Sequence, residues 1–390
     1  MLLSFSSSTS FIFLIIIAAH FASRFFPILL IPLVLFLKEQ PVFDRSQDHR
    51  ITATDISISL SLPRLNFSRP HHEYFASDGA RSLCAAHGYS VFRPHTNAPD
   101  GRRKIYDLFM VNIELDFLEI RLRTLYDYVD YFVIVEGSLT FQGGPKNLTI
   151  RNSWDRFQAY HDKMIYLQLE YPEDFKPLRH WDREDLQRNA MFEQVFPKLT
   201  GPQSPILGDV LLVANVDEIP RPATMLVLRT CNFPRRLTLS SKFYYYSFQF
   251  LHQGPEWPFP QATYYQGMHN TILPGNLRNC DAGIPLLRDL EKGVLANAGW
   301  HCSSCFATMD QFLNKMASFS HAWMNHQYLH DRDRIVSAVR EGVDVWGRKQ
   351  DTFIRIEDNV DIPTCLLEDK ERFRYMLNRD GETAGFTDYP

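Results

Sequence analysis

The sequence predicts an α/β domain with a mostly parallel sheet and helices on both faces, preceded by a membrane anchor and a stem. Three observations carry this. Residues 104–136 read as strand, helix, strand. A third apolar strand, "DVLLVAN", ends in the acids of "VDEIP". A long apolar tract lies near the N-terminus.

That tract, 11–37, is apolar except for His20, Ser23 and Arg24. A membrane span needs about 20 such residues. Arg24 costs about 2.5–3.5 kcal/mol at the centre of a span, which the many Ile, Leu and Phe offset. Pro27 and Pro32 are tolerated within a span. After a tail of residues 1–10, the tract reads as a signal anchor, with a cleaved signal peptide as the other reading. No Lys or Arg precedes residue 11, whereas Lys38 and Arg45 lie beyond the tract. Flanking charge taken alone therefore puts the C-terminal bulk in the cytosol.

Residues 38–104 read as a stem with some local structure. "ISISLSL" (Ile56 to Leu62) alternates as a strand does, and "ARSLCAAHGYSVF" suits a short helix. Cys84 stands where it can tie the stem to the main domain. That domain, 105–379, opens on "KIYDLFMVN", a strand by length and content. Leu115, Leu118, Leu122, Leu125 and Val129 then step by three and four residues, which is one face of a helix. Glu119 and Arg123 form an i,i+4 pair on the outside. "YFVIVEG" is the next strand, so this unit is βαβ and its strands are parallel. "RHWDREDLQRNAMFEQVF" reads as a helix, "DVLLVAN" as a parallel strand and "KFYYYSFQFL" as one further strand. Residues 380–390 form a tail.

Composition sets limits. The chain has 390 residues, 45% hydrophobic and 22% charged, with a net charge of −4. No basic field argues for a nucleic-acid partner. The six cysteines and the sequons at Asn66 and Asn147 fit a secretory lumen.

In open α/β sheets, ligands bind beyond the carboxyl ends of the strands. Three such ends carry polar residues: Asn112 with Glu114, then Glu136, then Asn215 with Asp217 and Glu218. Asn215 and Asp217, two apart in an extended turn, point the same way. They suit Mg²⁺ or Mn²⁺, which take oxygen ligands and complete their shell with phosphate and water. The other reading makes Asp217 the N-cap of a helix starting near Pro220. Cys302 and Cys305 stand in Cys-x-x-Cys spacing. That spacing admits a thiol–disulfide exchange site, a structural disulfide, bonds to Cys280 and another partner, or a zinc site with His301.

Five ordered blocks carry a resemblance. They are "YDLFMVNIELDFLEIRLRTLYDYVDYFVIVEGSLTFQGGPKNL", "DVLLVANVDEIPRP", "AGWHCSSCF", "FSHAWMN" and "LLEDKERFRYMLNR". Together they resemble glycosyltransferase family 17, the β-1,4-mannosyl-glycoprotein β-1,4-N-acetylglucosaminyltransferase-like proteins. The resemblance implies a GT-A-like fold and an inverting enzyme of the Golgi membrane, single-pass type II, with a luminal catalytic domain. It implies UDP-N-acetylglucosamine as donor, a glycoprotein N-glycan as acceptor and a divalent metal. The family's usual Asp-x-Asp stands here as Asn215-Val216-Asp217, which leaves the metal one charge poorer. A non-catalytic glycan-binding relative is therefore a second reading, and a luminal thiol–disulfide oxidoreductase a third.

Expected roles follow from the strand-end positions, from the helix "REDLQRNA" that carries Asp185, Arg188 and Asn189, and, for His301, from the resemblance; Asp281 and Glu256 are acids able to serve as base. Asn215, Asp217 and His301 are the metal candidates. Asp217, Glu218 and Asp281 are the catalytic candidates, with Glu218 bracing the site and Glu256 a further possible base. Asn112, Glu114, Glu136, Asp185, Arg188 and Asn189 are the nucleotide-sugar candidates, Arg188 because a guanidinium pairs a phosphate bidentately.

Overall fold

The computed structural model describes residues 49–51, 77–94 and 103–389, apart from 322 and 324. The apolar tract 11–37 and the alternating segment 56–62 lie outside them. Among the described residues, no helix is long and apolar enough to cross a membrane.

The fold is mixed α/β. The larger sheet has the spatial order β1 (His49–Arg50), β13 (Lys292–Ala296), β9 (Arg236–Leu239), β12 (Gln261–Tyr264), β6 (Val210–Asn215), β3 (Ile105–Met110), β4 (Tyr131–Glu136), β5 (Met164–Gln168). Only β12 is antiparallel to its neighbours. A second sheet is ordered β15 (Phe353–Arg355), β11 (Ser247–His252), β10 (Lys242–Tyr245), β14 (Gly299–Ser303), β7 (Glu218–Pro220). The short β2 (Ser90–Val91) pairs with β8 (Cys231–Asn232).

β4 and β6 read as nearly continuous apolar runs, and β3 as one interrupted by Asp107, because both sheet faces are covered. Alternation along β3 divides its side chains. Tyr106, Leu108 and Met110 pack with Ala190, Met191 and Phe192 of α3 (His180–Glu193). Asp107 and Phe109 face α2 (Leu115–Leu125), where Arg121 forks onto the Asp107 carboxylate and lies over the Phe109 ring. Register then sets the strand ends level: Met110 lies opposite Asn215. On α2 the i,i+4 pair does not form. Glu119 pairs instead with Arg372 and Arg156, and Arg123 with Glu368, because tertiary partners outcompete an exposed helical pair.

The tract read as one strand, "KFYYYSFQFL", is two. Tyr246 has φ 62° and reverses the chain between β10 and β11. Its surroundings hold this uncommon conformation. The hydroxyl donates to the Val343 carbonyl and accepts from Val345 N–H, both at 3.0 Å, and buried Arg379 donates to the Tyr246 carbonyl.

Residues of the segment read as a stem pack within the same compact unit as 105–379. β1 pairs with β13. α1 (Asp78–Ala86) is capped by the Ser77 hydroxyl, which accepts from Ala80 N–H. Cys84 on α1 is disulfide-bonded to Cys231, closing a separation of 147 residues. A cross-link over so long a loop restricts the unfolded chain strongly. Replacing both cysteines by alanine is expected to destabilise the protein by about 2–4 kcal/mol. Urea unfolding of the oxidised wild type and the double variant checks this; coincident midpoints would contradict it.

Candidate active site

The site forms where β6 turns into β7. Asn215 ends β6, Val216 and Asp217 make the turn, and Glu218 begins β7. Arg121 fixes this turn from below. Its Nη1 donates to the carbonyls of Asn215 at 3.0 Å and Glu218 at 2.7 Å, while Nε and Nη2 hold Asp107. The next helix, α4 (Pro222–Thr230), starts at Pro222 with Arg221 as N-cap. The cap reading of Asp217 therefore fails: Pro220 belongs to β7, and the Asp217 carboxylate is free for other work.

Glu218 braces the turn. Arg278, at the end of α5 (Pro274–Arg278), grips its two oxygens at 2.8 and 2.6 Å. The Trp257 indole donates at 2.7 Å, and Asn215 N–H donates at 2.7 Å. Burial alone would raise this carboxyl. The Arg278 charge and its hydrogen bonds outweigh burial, with help from His301 and Asn215 N–H, and hold it at about 2. A carboxylate so engaged is a strut and takes no proton at neutral pH.

Asp217 has the opposite character. It is 7% exposed. Burial raises its carboxyl above the ordinary range, against the pull of His301 and Lys315. His301 lies on β14, opposite Glu218 in the antiparallel pairing of β14 with β7. Its ring stacks against both Phe243, with centroids 5.2 Å apart, and Trp257, at 4.4 Å, which are in turn 5.1 Å from each other, so the three form one aromatic cluster. Held in this cluster, the imidazole donates from Nδ1 to the Asp217 carbonyl at 3.4 Å, with Asp217 Oδ1 3.8 Å away.

The α6 helix (Met309–Ser318) brings Lys315, which donates to Glu114 Oε1 at 2.5 Å. Burial would lower the ammonium's pKa; the Glu114 and Asp217 carboxylates outweigh it and raise it. α3 brings Arg188, whose Nη2 donates to Glu184 Oε1 at 2.7 Å and to Asn215 Oδ1 at 3.2 Å. Asp217 and His301 thus lie near the cations Lys315, Arg278 and Arg188.

A divalent ion fits Asp217 and His301. A carboxylate and an imidazole nitrogen are suitable donors, Nε2 being the ring nitrogen left for an ion while Nδ1 donates to a carbonyl, and Mg²⁺ or Mn²⁺ commonly take only one or two protein ligands beside phosphate and water. Among the described residues no group of three His, Cys, Asp or Glu side chains is gathered for a metal, so the protein offers a pair. Asn215, expected as a third ligand, is turned to Arg188 because its amide oxygen is the acceptor that guanidinium finds.

Other expected residues fall in different places. Asn189 Oδ1 accepts from Gly275 N–H at 2.8 Å and so fixes the start of α5 beneath Arg278. A Cβ on Gly275 would stand 2.9 Å from that oxygen, so only glycine permits the approach. Asp185 accepts from the Asn279 amide at the far end of α5. Asn112 donates to Ser318 Oγ, and Glu114 accepts from the backbone of Asn112 and Ile113. Glu136 accepts from Ile150 and Arg151 N–H, Lys146 and the Tyr166 hydroxyl. Those bonds hold the loop after β4, and they leave no oxygen of Glu136 unengaged for a uridine. Asp281 is exposed beyond α5, where its carbonyl accepts from Arg236. Glu256 is tied to Arg50 and to Asn297 N–H.

Cys302 and Cys305 form a disulfide with both residues buried, 0% and 2% exposed. Thiol exchange needs an accessible sulfur, so this bond is structural. Cys280 is free and exposed, and Cys365 free and buried; the zinc and Cys280 pairings do not form.

Comparison with known proteins decides the family. Residues 25–382 match the family model described as glycosyltransferase family 17. The chain belongs to that family. Its similar curated relatives include the β-1,4-mannosyl-glycoprotein 4-β-N-acetylglucosaminyltransferases of Rattus norvegicus and Mus musculus, each 25% identical over 299 residues, covering 70% of this chain and 54% of the relative. The Homo sapiens protein of that name is 25% identical over 300 residues, covering 71% and 55%. This family 17 chain thus spans about half the length of the curated relatives it matches. Among solved structures, the mannosyltransferase PcManGT from Pyrobaculum calidifontis in complex with GDP-Man and Mn²⁺ is similar at TM-score 0.30 and 11% identity, over 74% of this chain and 75% of that one.

Arg278, Lys315, Trp257, Glu184 and Arg121 complete the site and were not legible in the sequence as site residues. Arg278 lies 60 residues from the acid it grips, and Lys315 lies 201 from Glu114. The one local signal was the capping box of Thr308 and Gln311, which marks the start of α6 but not the direction of Lys315.

Proposed function

We propose that this chain is an inverting, GT-A-like glycosyltransferase moving N-acetylglucosamine from UDP-N-acetylglucosamine to a mannose of a protein N-glycan in β-1,4 linkage. The observation that carries the reading is the meeting of Asp217 and His301 with three cationic side chains at one strand end of a family 17 chain. The names of the curated relatives support the donor, acceptor and linkage.

Asp217 and His301 would hold a divalent ion, Mn²⁺ or Mg²⁺, which when bound offsets the charge of the departing diphosphate. Lys315 adds fixed positive charge, kept protonated by Glu114 and Asp217. Arg188 offers a guanidinium to phosphate oxygens. These groups are held in place before substrate arrives, which is how electrostatic preorganisation lowers a barrier. The acceptor hydroxyl bonds to the anomeric carbon as the bond to the diphosphate oxygen breaks. A single displacement of this kind inverts that centre, and the hydroxyl proton passes to a base.

The same reading anchors the chain in the Golgi membrane through residues 11–37, type II, with the stem of 38–104 and the domain of 105–379 in the lumen. Two disulfides support an oxidising compartment, and Asn147 of the second sequon is exposed. Nucleoside diphosphate release by the full-length protein, offered a panel of sugar nucleotides and an N-glycan acceptor with Mn²⁺ or with EDTA, tests the donor assignment. Release from UDP-N-acetylglucosamine that needs the metal is expected. A preference for GDP-mannose, or silence with every donor, would sink it.

A further inference from the structure

Arg188 carries a nitrogen that the fold does not use. The side chain is 2% exposed. Its Nη2 is shared between Glu184 and Asn215, but its Nη1 is buried and meets no hydrogen-bond acceptor among the described residues. Buried guanidinium donors are normally satisfied. The acids nearby are already committed. Glu184 gives Oε1 to Arg188 and accepts the Ser320 hydroxyl on Oε2 at 2.6 Å. Glu218 gives both oxygens to Arg278. Positive charge and a free donor are left at one point beside the Asn215–Glu218 turn, and an anion with several acceptor oxygens matches both.

Asn215 is the partner that keeps this so. Its amide oxygen orients Nη2 without neutralising the guanidinium. A carboxylate at the same place would form a second ion pair with Arg188, beside the one Glu184 makes, and would repel an incoming anion. We propose that Asn215 is a positioning residue that holds Arg188 through a neutral acceptor, so that the guanidinium keeps a donor and its charge for the diphosphate of the sugar nucleotide. This rests on the transfer reading for the identity of the anion. It reverses the expectation that a second acid would improve the site: Asn215→Asp impairs it.

Calorimetric titration of the full-length protein with inorganic pyrophosphate and with UDP, in EDTA, tests this without a metal. Asn215→Asp is expected to weaken both by about tenfold in the wild-type background and by a much smaller factor in Arg188→Gln, where only direct repulsion by the new carboxylate remains. With a sugar nucleotide as substrate, the same variant is expected to raise the donor KM more than it lowers kcat. Unchanged or tighter binding by Asn215→Asp overturns the proposal, as does an equal loss in the Arg188→Gln background or a wild type that binds no pyrophosphate. A wild type that binds pyrophosphate through Arg188 but releases UDP from no sugar nucleotide overturns the transfer reading alone and leaves the anion site supported.

Discussion

Asp217→Asn is expected to lower kcat/KM for sugar transfer by about 10²- to 10³-fold, the loss typical when one preorganised electrostatic group is removed from an active site. The fold should survive the change. Burial raises the Asp217 carboxyl against the attraction of His301 and Lys315, so the folded state carries this charge at a disadvantage, and the isosteric amide removes it. The thermal midpoint is therefore expected to hold or rise while activity falls, as at sites kept for function at some expense of stability. Initial rates and thermal unfolding on the same preparations check both halves. Full activity in Asp217→Asn would show that the carboxylate has no part in transfer, and a collapsed midpoint would show that it is a strut like its neighbour.

Glu218→Gln should behave in the reverse manner. The substitution leaves Arg278 buried at 9% exposure without its counter-charge, and breaking one partner of a buried pair costs about 3–5 kcal/mol. Trp257 and Asn215 N–H lose a charged acceptor for a neutral one at the same time. Replacing both members, as Glu218→Leu with Arg278→Met, should recover part of the loss, since no lone charge then remains buried. Recovery should be incomplete, because the indole and the Asn215 amide still lack an acceptor. Urea midpoints of the two variants decide the matter. Equal stability of wild type and Glu218→Gln would mean that the pair does not hold the turn.

The framework was legible because β3, α2 and β4 obey local rules. Apolar runs covered on both faces and a clean three–four step fix element type with little help from elsewhere. The tract around Tyr246 was misread because its reversal depends on Val343, Val345 and Arg379, about a hundred residues or more away. Strand-end position singled out Asp217, which the fold places 3.8 Å from His301, a residue that the resemblance singled out. The same rule overreached at Glu136, whose oxygens serve the loop beyond its strand. Asn215 shows the limit of reading a ligand from residue type. An amide oxygen serves a metal or a guanidinium equally well, and the choice was made by Arg188, 27 residues earlier on a different element.

The most direct measurement incubates the full-length protein with UDP-N-acetylglucosamine, Mn²⁺ and an N-glycan bearing an unsubstituted core β-mannose, and reads the product linkage by NMR. A new β-1,4-linked N-acetylglucosamine on that mannose, formed by wild type and lost in Asp217→Asn, is the expected result. An unmodified glycan, or the same product formed equally well by Asp217→Asn, would contradict it.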